Sequence, residues 1–128
     1  MLGQLSALVA SIVLIGLMIF QLLLVFGRPY GEYAWGGQHR VLPIGYRIGS
    51  VIAIIIYVIS IIVMLESAGL ISFISNTAIS RYGIWVLFIY FLIGIPLNAI
   101  SRSKLERYTM TPIVSLLCVL TLVVALAG

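Results

Sequence analysis

At 128 residues the chain is long enough for one domain, yet 63% of it is hydrophobic and 8% charged, with a mean hydropathy of +1.29. Three acidic residues, all Glu, leave too little polar surface to solvate a folded monomer, so the solvent for most side chains is lipid and a water-soluble domain is excluded. The net charge of +4 does not imply nucleic acid, because the seven Lys and Arg flank apolar runs, where they report topology.

Leu5 to Phe26 carries no charge and forms the first span, since about 1.5 Å of rise per residue lets it cross a core of roughly 30 Å. Met1 to Gln4 lack the basic side chain of a cleaved signal peptide, so a retained helix is expected. The second span, about 48–65, is rich in Ile and Val. In water that would suggest a strand, but in lipid only a helix satisfies its own peptide groups. The third, about 83–100, contains Pro96, which frees the carbonyl of Leu92 and predicts a kink. The fourth is expected from about Arg107 to 127. Thr111 before Pro112 reads as an N-cap and first helical residue, but a helix from there would be slightly short for the bilayer; Ser103 with Glu106 matches the S-x-x-E capping box and offers an earlier start, with Pro112 inside. The fold class is thus an all-α membrane protein: four transmembrane helices in an antiparallel bundle, one integral membrane domain over residues 1–128, with a structured cytoplasmic loop between the first two helices.

Orientation follows from the connections. Arg28, Arg40 and Arg47 in the first, with Arg102, Lys104 and Arg107 in the third, face Arg81 alone on the other side, which places loops 27–47 and 101–106 in the cytoplasm and both termini outside. Tyr30, Tyr33, Trp35 and Tyr46 at one boundary, and Tyr82 and Trp85 at the other, suit interfacial belts.

The 27–47 connection is much longer than a usual helix–helix link. Gly36 and Gly37 can supply the positive φ angles of a two-residue turn, which predicts a hairpin with arms Glu32 to Trp35 and Gln38 to Val41 lying on the interface. Its arginines would meet anionic phosphates, each worth roughly 1 kcal/mol. A sharper reading uses the glycine N–H groups with Arg40 and His39 as an anion cradle, although the glycines match neither G-x-G-x-x-G nor a P-loop. Glu32 near His39 could form an acid and base pair, against which stands a solvated charge pair.

Gly27, Pro29, Gly31, Trp35-Gly-Gly-Gln-His-Arg40 and Leu42-Pro43, followed by Arg47 and Ser50, form one polar signature. Asn98-Ala-Ile-Ser-Arg-Ser-Lys104 with Glu106-Arg107 and Pro112 forms another. Over nearly its whole length the chain resembles a group of small bacterial integral membrane proteins with four predicted helices. The resemblance implies a bacterial, membrane-embedded protein and carries no activity.

Elsewhere, Gln21 and Asn98 lie towards the cytoplasmic ends of their spans and read chiefly as packing amides, worth about 0.6 kcal/mol each. Glu66 falls at the outer boundary, hydrated and near Arg81, not at the midplane where a proton carrier would need it. Gly45-x-x-x-Gly49 and Gly49-x-x-x-Ala53 allow close helix approach, within the bundle or in a homodimer. Leu70 to Ile79 could form a short amphipathic surface helix.

Three functions are compatible with this pattern. The first is a non-catalytic inner-membrane component whose cytoplasmic loops bind a protein partner or an anionic lipid headgroup through Arg28, Glu32, Trp35, Gly36, Gly37, His39, Arg40, Arg47, Asn98, Arg102 and Glu106. The second is a small oligomeric channel or transporter lined by Gln21, Ser60 and Asn98. The third is a lipid-modifying enzyme using Glu32, His39 and Glu106 beside Arg40. No catalytic residue is assigned. No cofactor or metal is expected, because single copies of Cys118 and His39 cannot supply a paired ligand set.

Overall fold

The structure, a computed structural model, describes residues 1–127. Four long helices make up most of it: α1 (Leu2–Val25), α2 (Ile44–Ser67), α3 (Thr77–Ala99) and α4 (Lys104–Ala127). Each is long and apolar enough to cross a membrane. At 23 or 24 residues they measure about 35 Å, a little more than the hydrocarbon thickness of roughly 30 Å.

α1 packs along both α2 and α4, and α3 packs mainly along α4. All four contribute to one apolar core, with Leu14 of α1, Met64 of α2, Phe91 of α3 and Leu117 of α4 at its centre. Small polar residues share that interior. Ser11, Ser60 and Thr121 are buried, and each hydroxyl donates to the carbonyl four residues back, from Ala7, Ile56 and Leu117. Because those hydroxyls are satisfied within their own helices, they allow close helix approach without a bare polar group. The outward surface is the reverse: Ile12, Ile52, Ile55, Val86, Ile89 and Val119 are exposed. Small residues mixed into the buried interior, with branched apolar ones on the outside, suit hydrocarbon as the surrounding medium.

Several boundaries differ from those expected of the apolar runs alone. α3 starts six residues before Gly83, because the Asn76 side chain caps it by accepting the Ile79 N–H at 3.1 Å. α4 starts at Lys104, where the Ser103 hydroxyl accepts the Glu106 N–H at 3.3 Å, and Pro112 lies inside it. The S-x-x-E signal thus marks this start, although the Glu106 carboxylate is used elsewhere.

No helix covers Leu70 to Ile79 as a unit: residues 70–76 are irregular and Thr77 onward belongs to α3. The cause is Glu66, whose carboxylate accepts the N–H groups of Ile74 at 2.6 Å and Ser75 at 3.0 Å and so folds the connection back over the end of α2. Gly69, at φ +77, ends α2 in a Schellman closure, with Leu70 N–H donating to the Leu65 carbonyl and Gly69 N–H to that of Glu66.

The arginine-rich end as a candidate site

α1 ends in a similar closure at Gly27, φ +83, where Arg28 N–H donates to Leu23 and Gly27 N–H to Leu24. The chain then folds back against the bundle end. Gly31 N–H donates to the Arg40 carbonyl at 2.8 Å, and a Cβ at Gly31 would overlap the carbonyl of His39, so only glycine lets the two limbs of the loop meet. Ala34 and Leu42 are buried on Leu24, with Phe20 and Tyr46 packed beside them, which gives the loop its own small apolar core.

The limbs do not form a hairpin. Two 3₁₀ turns, Gly31–Tyr33 and Trp35–Gly37, take the place of the first expected arm and of the expected turn, and Gln38 to Val41 is irregular. Trp35, Gly36 and Gly37 have φ of 52, 76 and 71°, and this left-handed run turns the chain away from a strand ladder. A non-glycine residue is strained there, and the Trp35 side chain supplies compensating contacts. Its indole lies on Gly49, where a Cβ would come within 2.9 Å of the ring, and its Nε1–H donates to the Ser50 hydroxyl at 3.3 Å. The small-residue pattern at the start of α2 therefore receives a tryptophan instead of another helix at Gly49, while nothing lies against Gly45.

Contacts distant in sequence clamp this loop to the start of α4. The Ser103 hydroxyl donates to the Glu32 carbonyl and packs on Gly37. The Glu106 carboxylate accepts the Gly36 N–H at 3.2 Å and the Ser101 hydroxyl. The two polar signatures of the sequence, some seventy residues apart, meet in one structural unit through Ser101, Ser103 and Glu106.

That clamp settles where several candidate residues go. Gly36 N–H is used by Glu106 and Gly37 N–H by the Ala34 carbonyl, so neither glycine can cradle an anion through its amide. Glu32 pairs with Arg40 at 3.3 Å and not with His39, whose ring rests against Tyr46 at 5.5 Å. Of the two readings of Glu32, the acid and base pair does not form; Glu32 instead joins an exposed charge pair with Arg40 on the facing limb, and an ion pair this exposed contributes little stability. Arg47 Nε donates to the Leu42 carbonyl at 2.7 Å with its guanidinium beside Gly27, while Arg28 is exposed. Asn98 is not part of this unit: its amide donates to the Gly94 carbonyl at 2.8 Å within α3.

Between the loop and the start of α4 lies an open cleft of about 510 Å³, with Glu32, Gly37 and Arg40 on one wall and Arg102, Ser103 and Lys104 on the other. Lys104 is a lining residue that the sequence reading did not select, and its position next to Arg102 in the basic connection was the available signal. Three cationic side chains and one carboxylate face this space, and Glu32 is already paired with Arg40. The cleft therefore presents net positive charge at the end of the apolar helices, a setting in which Arg and Lys side chains can hold an anionic oxygen group. No family model, curated protein or solved structure matches the chain.

Proposed function

We propose that this is a four-pass protein of the bacterial cytoplasmic membrane, an antiparallel bundle with both termini outside, whose cytoplasmic loop unit holds the phosphate of an anionic lipid headgroup without catalysing a reaction. The positive-inside rule supports the orientation, with six of seven basic residues at the clamped end, in the two connections and the first turns of α2 and α4. The observation that carries the binding role is the cleft itself. Arg102 and Lys104 have no carboxylate partner among the described residues, and they line the cleft beside Arg40 where the helices emerge from hydrocarbon. The Glu106 and Ser103 contacts hold the facing wall in place, so the cations need little rearrangement to meet a ligand. A protein partner with an acidic segment is the other occupant of this chemistry.

The test is thermal stability of the purified chain in nanodiscs of phosphatidylcholine with and without phosphatidylglycerol. The wild type should be stabilised by the anionic lipid. The double variant Arg102→Gln, Lys104→Gln should lose about 2 kcal/mol of binding, or roughly thirtyfold in affinity, at about 1 kcal/mol per removed charge. Equal response to both lipids in the wild type would reject the headgroup reading. Crosslinking from Gln38 in cells to a single protein would then favour the partner.

A further inference from the structure

α2 packs mainly against α1, and at the end away from the arginine-rich loop its last turn stands off from α3 and α4. The 70–76 connection bridges that gap, and a cavity of about 710 Å³ lies between it and the three helix ends. Part of the wall is apolar, formed by Ile84, Trp85 and Val124, and the Trp85 ring sits edge-on against Phe88 at 5.9 Å. The rest is polar and carries both signs of charge. Glu66 is held by the N–H groups of Ile74 and Ser75, which use two of the roughly four acceptor sites of a carboxylate and leave the others open. Arg81, one turn beyond Thr77 on the same face of α3, lines the same space. The two charges share a cavity without pairing, and neither has an ion-pair partner among the described residues. Asn76 uses its amide oxygen to cap Ile79 and keeps its nitrogen to donate.

We propose that this cavity binds a small zwitterion, a molecule or headgroup in which a primary ammonium is joined to a carboxylate or phosphate. The ammonium donates to Glu66, and the anionic oxygens accept from Arg81 and Asn76, both as charge-assisted hydrogen bonds. The carbons between the two charges rest on the apolar wall. A ligand of one sign alone would satisfy one of the two side chains and meet its own charge at the other. Because two backbone amides already fix the Glu66 carboxylate, little ordering is needed when the ammonium arrives. The volume lies within the roughly 300–1,000 Å³ of pockets that enclose small ligands. A phosphatidylethanolamine headgroup and a free amino acid share this chemistry.

The test titrates the full chain in phosphatidylcholine nanodiscs and follows tryptophan fluorescence, since Trp85 lines the cavity and the other tryptophan, Trp35, lies at the opposite end. The probes are glycerophosphoethanolamine and free alanine, each set against a counterpart without ammonium N–H groups, glycerophosphocholine and N-acetylalanine. At least one primary amine should give a saturable change that its counterpart does not match, and the change should vanish in Trp85→Phe. Arg81→Gln, at an exposed position, should weaken it about tenfold. A response suppressed by adding phosphatidylethanolamine to the nanodisc assigns the zwitterion to a lipid headgroup, and one that persists assigns it to a soluble molecule. No response to either primary amine would overturn the proposal, as would an equal response to both counterparts, a signal that survives Trp85→Phe, or undiminished affinity in Arg81→Gln. The wild-type comparison of probes decides the matter even if a variant were to misfold.

Discussion

Glu106 is the residue on which the clamped end most depends, and Glu106→Ala is the sharpest perturbation of it. The change removes the acceptor for Gly36 N–H and for the Ser101 hydroxyl together. Hydrogen bonds to a charged group contribute about 1.5–3 kcal/mol each when dry, but Glu106 is half-buried and water can replace part of each, so about 1 kcal/mol apiece is the appropriate scale. The loop should then open about 2 kcal/mol more easily, or roughly thirtyfold more often. Amide hydrogen exchange in nanodiscs reads this directly at Gly31 and Ala34, whose N–H groups donate to Arg40 and Gly31 carbonyls and do not touch Glu106. Glu106→Gln keeps an acceptor oxygen and should give a smaller acceleration. If exchange rises at Gly36 alone, the Leu24, Ala34 and Leu42 core holds the loop by itself and the reasoning fails.

Two further perturbations separate backbone strain from lost contacts. Gly37→Ala places a Cβ at φ +71 against the Ser103 side chain and should destabilise by about 1–3 kcal/mol, whereas Gly36→Ala, at φ +76 with open space around it, should cost about 1 kcal/mol; equal thermal shifts in detergent would contradict this. Glu66→Ala releases the Ile74 and Ser75 amides and should speed proteolysis within residues 70–76 while leaving exchange in the 31–42 loop unchanged.

The spans were legible because each apolar run matches the hydrocarbon thickness to within about a helical turn, a property of composition that needs no tertiary information. The start of α3 was harder to read: Ser80, Arg81 and Tyr82 look like a loop on hydropathy, and only the Asn76 cap reveals that they are helical. At α4 the signal was present as Ser103-x-x-Glu106 but was weaker than Pro112 as a local argument. The 27–43 loop was read wrongly for a physical reason. Gly36-Gly37 in isolation favours a hairpin turn, but its partners are Ser103 and Glu106, and contacts across such a separation leave no periodicity in the sequence. The same separation explains why the two polar signatures were visible individually and their union was not. Trp35 illustrates the point from the other side, because its left-handed backbone depends on Gly49 and Ser50 in the next helix.

The most direct test of the account is the sidedness of the two helix-connecting regions. With the buried Cys118 replaced by Ala, single cysteines at Gln38 and Ser72 are to be probed in intact cells with a membrane-impermeant maleimide, before and after permeabilisation. Four crossings with the arginine-rich end inside predict that Ser72→Cys reacts in intact cells and Gln38→Cys only once the membrane is opened. Reaction of both in intact cells, or of neither, would contradict it.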